Sequence, residues 1–357
     1  MEKQLMKGNV ALAEAAVRAG CRFFAGYPIT PQNEVPEYLS WRLPEAGGVF
    51  VQAESEVAAV NMVYGAAGAG FRAMTSSSSP GLSLKLEGIS YLAGAELPCV
   101  IINVMRAGPG LGGIQPAQGD YFQATKGGGH GDYRLLVLAP STIQEAVDLM
   151  SSAFDKADRY RIPVLLLVDG LLAQMMEPVA LPEAASPEGR PSKPWATVGW
   201  DDKTRPRAVV TSEYLVPAEL EEHNLALQRK YAEITANESL LECSVPDEAD
   251  LLVAAYGSTA RIAQTAVDML NAQGRRVGLA RPVSLWPFPS QALAEAALKA
   301  RSVLVLEMSS GQMVEDVRLA VNGARKVSFY GRMGGMIPSA EELAEVMRSA
   351  IDEVAND

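Results

Sequence analysis

Apolar positions along this chain come in short unbroken runs, separated by longer stretches with helical spacing. In the first half the runs are CRFFAG over 21–26, GVFVQ over 48–52, FRAMTS over 71–76, PCVIINVM over 98–105, LLVLAP over 135–140 and IPVLLLVD over 162–169. Runs of this length predict strands. Their lack of polar alternation predicts strands covered on both faces, as in a parallel sheet between helical layers. A helix is expected before Ala19 and another, rich in small residues, from Ser55 to Gly70.

From Met176 to Pro194 prolines crowd the chain and the apolar period is lost, which reads as a linker. A polar helix is expected over Pro217 to Asn237. Leu220, Leu227, Tyr231 and Ile234 fall on one of its faces, which is expected to pack within the chain. A second alternating series begins near Asp250: strands at LLVAAYG, RRVGLARP, SVLVLEM and KVSFYG, a helix from Ser258 to Gln273, and a final helix from Ser339. The expected organisation is an α/β domain over 1–180, a linker with one helix over 181–248, and a smaller α/β domain over 249–357. A chain of 357 residues is in any case long for one domain.

Composition narrows the classes of function. A net charge of −11 opposes binding to nucleic acid or anionic lipid. No run of 18 apolar residues is present, and the first twenty residues are amphipathic without a signal-peptide core. A cytoplasmic protein is expected. Cys21, Cys99 and Cys243 lie far apart, with no CxxC, whereas an iron–sulfur cluster needs about four thiolates. They read as three buried or half-buried thiols, and with only His130 and His223 to add, no metal site is expected on this chain.

Four loops carry chemistry, and in a parallel sheet ligands gather where such loops leave the carboxyl ends of the strands. The first is Gly26-Tyr27-Pro28-Ile29-Thr30-Pro31, in which two prolines stiffen a turn that presents the Thr30 hydroxyl. Thr30 can equally cap the next helix, with Pro31 as its first residue. The second is Glu54-Ser55-Glu56, where carboxylates at a helix N-terminus gain from its dipole. The following VAAVNMVYGAAGAG is too apolar and small for a solvent-facing helix, so a carboxylate opening it needs a partner, such as a ring nitrogen. The third is Thr75-Ser76-Ser77-Ser78-Ser79-Pro80-Gly81, which can offer hydroxyls and N–H groups but lacks the Gly-Lys-Ser/Thr ending of a P-loop. The fourth starts at Arg106 and continues AGPGLGG; an arginine there suits carboxylate recognition or an ion pair with a structural Asp or Glu. His130, within KGGGHGDY, is either an acid–base group of the pocket or structural.

GYPITPQNE, QAESEVAAVNMVYGAAGAG, TSSSSPGLSLKLEG, MRAGPGLGGIQPAQGD, KGGGHGDY, RPVSLWPFP and YGRMGGMIP together resemble the alpha subunit of 2-oxoacid:ferredoxin oxidoreductases, over nearly the whole chain. KGGGHGDY and RPVSLWPFP are most similar to the branched-chain, 3-methyl-2-oxobutanoate type. The 2-oxoglutarate type typically has Gly-Pro-Ser-Thr-Gly after the arginine, where this chain has AGPGLGG. The alternatives are a 2-oxoglutarate- or pyruvate-type member, the half of a non-redox thiamine enzyme, or a scaffold subunit without catalytic groups.

The resemblance implies an α/β pyrimidine-binding domain of a thiamine diphosphate enzyme and a smaller domain like the transketolase C-terminal domain. It implies that Glu56 hydrogen-bonds the aminopyrimidine, that Tyr27, Pro28, Ile29 and Ser78 help to hold it, and that Thr30 and Arg106 meet the 2-oxoacid. No Gly-Asp-Gly segment with a later Asn is present. Mg²⁺ and the diphosphate are therefore expected on a beta subunit, and [4Fe-4S] clusters on partner subunits. A gamma subunit and a ferredoxin-like delta subunit or ferredoxin are the further partners implied. Coenzyme A is expected to take the acyl group, in an oxidative decarboxylation active only in the assembled complex.

Overall fold

The computed structural model describes residues 3–185, 192–199 and 207–355. The N-terminal half runs β1 (Lys3–Lys7), α1 (Gly8–Arg18), β2 (Phe23–Gly26), α2 (Glu34–Glu45), β3 (Val49–Gln52), α3 (Glu56–Gly68), β4 (Ala73–Ser77), α4 (Ser79–Gly94), β5 (Cys99–Met105), α5 (Tyr121–Thr125), β6 (Leu136–Leu138), α6 (Ile143–Tyr160), β7 (Pro163–Asp169), α7 (Gly170–Gln174) and β8 (Met176–Ala180). After α8 (Pro217–Glu238) come β9 (Leu241–Ser244), β10 (Leu251–Ala254), α9 (Gly257–Ala272), β11 (Val277–Pro282), β12 (Ser284–Trp286), α10 (Ser290–Leu298), β13 (Ser302–Glu307), α11 (Met313–Val321), β14 (Lys326–Gly331) and α12 (Ala340–Ala355).

Every apolar run expected as a strand forms one. β2 to β7 build a sheet in the order β12-β6-β7-β5-β4-β2-β3, parallel except for β12 at its edge. β5 and β7 are buried at every residue, as central strands between two helical layers must be. One layer packs Ala11, Leu39, Val147 and Phe154 of α1, α2 and α6 on the sheet; the other packs Val60, Leu82 and Ile89 of α3 and α4.

The second sheet has the order β14-β13-β10-β11-β9, with β9 antiparallel at its edge. α9 and α12 cover one face. The core of the other face, including Leu252, Val303 and Val317, is continuous with that of α3 and α4. The chain therefore has the α/β architecture expected, with two sheets sharing apolar contact.

Three elements depart from the sequence expectation. Met176–Ala180, which opens the proline-rich stretch, is a strand that pairs antiparallel with β1. Leu241–Ser244 is an edge strand within the segment read as linker. The segment RPVSLWPFP sends Ser284 and Trp286 back to the first sheet, against β6. All three are short edge elements whose partner is distant in sequence, so local pattern carries little trace of them. α8 packs within the chain: Leu227, Tyr231 and Ile234 are buried and the Tyr231 ring meets Trp286 edge-on at 5.7 Å. Leu220, in its first turn, is 39% exposed. Cys21 and Cys99 are core thiols whose pKa burial pushes up to about 12, which leaves them inert, while Cys243 on β9 is exposed rather than half-buried.

Candidate active site

β5, β4, β2 and β3 are neighbours in the sheet and point the same way, so the four loops singled out in the sequence leave it side by side. The loop after β3 turns into α3 at Ser55, whose hydroxyl accepts from the Ala58 N–H at 3.2 Å. With Ser55 as the cap, Glu56 is released from that task. Glu56 is 5% exposed and lies against the start of α4. A side chain at Gly81 would place its Cβ 2.4 Å from Glu56 Oε1 and 2.3 Å from Ser77 Oγ, so only glycine leaves room for the carboxylate. The Glu56 carbonyl accepts from Lys85 Nζ at 3.3 Å, but its carboxylate takes no hydrogen bond among the described residues.

The serine loop adds further unpaired groups. Ser78 is the cap residue of α4, yet its hydroxyl bonds no N–H of the helix. The hydroxyls of Thr75, Ser77 and Ser78 are all buried without a partner among the described residues. Buried hydroxyls are nearly always hydrogen-bonded, so the Ser77 and Ser78 hydroxyls at the N-terminus of α4, with Thr75 behind them on β4, mark a place built for something else to bind. Ser76, on the opposite face of β4, instead donates to Gln32 Oε1 at 2.5 Å.

Arg106 follows β5 and is 8% exposed. Among the described residues it pairs with no carboxylate, contrary to the structural alternative. Its Nη1 donates to the Thr30 carbonyl at 2.9 Å and its Nη2 to the Leu111 carbonyl at 3.1 Å, while Nε is buried and unpaired. Its backbone N–H donates to Ser79 Oγ at 3.0 Å, and Ser79 donates to Asp120 Oδ2 at 2.6 Å. Asn103 Nδ2 also donates to Asp120, at 2.8 Å. Burial raises the Asp120 carboxyl above its ordinary range, with the two donors opposing.

Thr30 does not cap α2, since Asn33 holds that position. Thr30 is exposed, and among the described residues its hydroxyl meets only Asn33 Nδ2, at 3.5 Å. It faces a cavity of about 380 Å³ lined also by Ile114, Gln115, Leu171, Gln174 and Ile337. Tyr27 and Pro28 are exposed and Ile29 half-buried on the same loop. The structure thus brings Thr30, Arg106, Ser78 and Glu56 to one end of the sheet. It does not bring His130 there. That residue is exposed, with its ring edge-on to Tyr91, which lies about 18 Å down the axis of α4 from Ser79.

Sequence reasoning missed several residues of the site. Gln32, Asn103 and Asp120 support the loops from beneath. Ile337 comes from the second unit, whose loop at Gly335 packs on Gln115 and Ala107. Lys85 is fully buried beside Glu56. A signal for it was present: Gly81, Lys85 and Gly88 form one stripe of α4, and a lysine between two glycines marks close helix packing rather than a solvated face.

Residues 14–238 match the family described as pyruvate flavodoxin/ferredoxin oxidoreductase, thiamine diphosphate-binding, and residues 249–343 match pyruvate:ferredoxin oxidoreductase core domain II. The chain is 51% identical to the ketoisovalerate oxidoreductase subunit VorB of Methanothermobacter thermautotrophicus, over 100% of this chain and 99% of that one. It is 38% identical to the 2-oxoglutarate synthase subunit KorA of Archaeoglobus fulgidus, over 98% of this chain and 100% of the other. Among solved structures, the 2-oxoglutarate:ferredoxin oxidoreductase of Magnetococcus marinus, with 2-oxoglutarate, coenzyme A and succinyl-CoA bound, superposes with a TM-score of 0.85 at 28% identity. That match covers 98% of this chain and 65% of that one. A split-gene transketolase shares the fold, with a TM-score of 0.59 at 13% identity over 97% of this chain and 98% of that one. With the family model spanning more than half of its residues and a relative matched end to end, this chain belongs to the family of 2-oxoacid:ferredoxin oxidoreductase subunits.

Proposed function

We propose that this chain forms the aminopyrimidine side of a thiamine diphosphate site shared with a beta subunit, and that the complex oxidatively decarboxylates a branched-chain 2-oxoacid with coenzyme A as acyl acceptor. The observation that carries this reading is Glu56: a residue only 5% exposed, whose carboxylate takes no hydrogen bond among the described residues and stands in a cradle that a Cβ at Gly81 would fill. A carboxylate in that state needs a partner able to share a proton, and the aminopyrimidine nitrogen is such a partner. The unpaired hydroxyls of Thr75, Ser77 and Ser78 fit a polar ring beside it.

When bound, thiamine diphosphate supplies the nucleophilic carbon and electron sink that decarboxylation of a 2-oxoacid requires. The protein's part is to hold and orient. Glu56 holds a proton at the ring nitrogen. Arg106 fixes the loop bearing Thr30 through the Thr30 carbonyl, and its free Nε–H can donate to a substrate carboxylate. Tyr27, Pro28 and Ile29 form the exposed rim of that loop. A 2-oxoacid with an apolar branch suits the cavity beside Thr30, where Ile114, Leu171 and Ile337 supply apolar surface.

The beta subunit is expected to bring Mg²⁺ and grip the diphosphate. Val57, Met62 and Leu84, exposed on α3 and α4, with Leu111 exposed on the loop after Arg106, support that face as its docking surface. The helix read in the sequence as too apolar for solvent is thus half covered by α4 and half bare. The [4Fe-4S] clusters, the gamma subunit and the ferredoxin-like delta subunit or ferredoxin complete the electron path. The test is reconstitution with the beta subunit, followed by titration with thiamine diphosphate and Mg²⁺ and assay with 3-methyl-2-oxobutanoate. Glu56→Gln is expected to keep assembly and lose on the order of 100-fold or more in turnover; near-normal turnover in that variant would overturn the reading.

A further inference from the structure

The described residues that line the cavity beside Thr30 belong to the first half of the chain except Ile337, which follows β14 of the second sheet. The loop that carries Ile337 is fixed at several points. Arg332 donates its N–H to the Glu307 carbonyl at 3.1 Å and its guanidinium to Glu342 Oε1 of α12 at 2.5 Å. The Met336 N–H closes a turn on the Met333 carbonyl at 3.2 Å, with Gly334 and Gly335 at φ +67° and +89°. A Cβ at Gly335 would lie 2.4 Å from Gln115 Cβ, so the turn rests directly on the loop that Arg106 begins. Beyond Ile337, Pro338 is buried and Ser339 caps α12, its hydroxyl accepting the Glu342 N–H at 3.1 Å. A proline also holds the residue before it extended. Ile337 therefore sits between a pinned turn and a capped helix. Its β-branched side chain is stiff, and it is 39% exposed where it lines the cavity.

The rest of the cavity favours an apolar guest at this end. Ile114 and Leu171 add apolar surface, and no lysine or arginine lines it. Its one charged lining group, Glu34, is engaged with Lys7, with Asn9 Nδ2 at 2.6 Å and with Gln174 Nε2 at 3.1 Å. Burial works to raise the Glu34 carboxyl, but these donors outweigh it and hold the group below its ordinary range. A substrate tail bearing a second carboxylate finds a like charge here and no cation to offset its desolvation.

We propose that Ile337 is a specificity-determining residue: it closes the cavity from the second sheet and packs on the branched end of the 2-oxoacid, whose carboxylate and keto group lie on the Thr30 and Arg106 side. This rests on the reading of the site given above. It adds that the second α/β unit, which supplies none of the groups assigned to the cofactor, selects the tail of the substrate. The single methyl of pyruvate is too short to cover Ile337 from that side, whereas the two methyls of 3-methyl-2-oxobutanoate extend toward it.

The experiment reconstitutes the complex with Ile337→Ala and Ile337→Val. It measures kcat/KM for 3-methyl-2-oxobutanoate and for pyruvate, with pyruvate also read as a competitor of the branched acid. One methylene in an apolar pocket discriminates by about tenfold or more, so Ile337→Ala is expected to lower the ratio of branched acid to pyruvate by at least about tenfold. Ile337→Val, one methylene shorter than the wild type, should shift the ratio the same way by a smaller factor. An equal loss for both acids marks a structural role and overturns the proposal. So does a ratio in Ile337→Ala within about twofold of wild type, or one that moves toward the branched acid. Failure of the earlier reading looks different: the wild-type complex would bind no thiamine diphosphate, or would turn over neither acid.

Discussion

The Arg106 guanidinium donates to the backbone carbonyl of Thr30 at 2.9 Å, across 76 positions of sequence. Two loops from different strands are thereby locked together by a side chain that was expected to bind only a ligand or a carboxylate. The planar fork also reaches the Leu111 carbonyl at 3.1 Å, so both loops depend on one group. Lysine, a point donor, cannot span the two. Arg106→Lys is expected to lower kcat/KM for the 2-oxoacid by on the order of 100-fold, the equivalent of one or two lost charged hydrogen bonds. Affinity for thiamine diphosphate should change little. Steady-state kinetics and titration of the same complex check both halves of the statement.

Gly81→Ala isolates the Glu56 cradle from the fold. The added methyl would lie 2.4 Å from Glu56 Oε1 and must push the carboxylate aside. Alanine is the better helix former by roughly 1 kcal/mol, so α4 itself should survive. Thermal unfolding close to wild type, together with weaker thiamine diphosphate binding, is the expected pair of results. Unchanged binding would show that the cradle is not where the heterocycle sits.

Lys85 makes a prediction about stability in the free chain. Its folded pKa, about 8, lies below its unfolded value near 10.5. A depressed lysine is favoured neutral in the fold, so its contribution is fully present above the unfolded value and lost as pH falls through the folded one. Below pH 8 the wild type thus carries a penalty that Lys85→Met escapes, on the order of 1–3 kcal/mol. The variant should unfold at higher temperature at pH 7, with the gap narrowing between pH 8 and 10.5. A gap independent of pH would show that packing, not charge, sets it.

Gln118 joins the two sheets. Its Nε2 donates to the Tyr256 carbonyl at 2.9 Å, and its Oε1 accepts from Thr259 Oγ1 at 2.8 Å and the Met308 N–H at 3.0 Å. Gln118→Ala leaves the buried Thr259 hydroxyl and Met308 N–H without that partner and opens a void, while the Tyr256 carbonyl keeps the Ala260 N–H at 3.2 Å, a loss of about 2–4 kcal/mol. Urea unfolding of the free chain should show that loss.

The strands of both sheets were legible because continuous apolar runs between helical segments admit few arrangements. The four strand-end loops were legible because Pro, Ser, Gly and Arg in such places narrow backbone and chemistry at once. Ser55 as a cap and the bare face of α3 were not separable from sequence, since the same small residues serve a buried or an interface helix. β8, β9 and β12 escaped because each pairs with a strand far away in sequence or in the other half.

What the chain's own order of residues determined was which groups stand at the strand ends: Thr30, Glu56, Ser78 and Arg106, spaced by the β–α period of the fold. Tertiary structure alone decided how they are used. Arg106 turns to two carbonyls, the Glu56 carboxylate takes no hydrogen bond among the described residues, and Lys85 is buried against the Glu56 carbonyl, because helix packing at Gly81 and Gly88 and the crossing of loops set distances that no local pattern encodes.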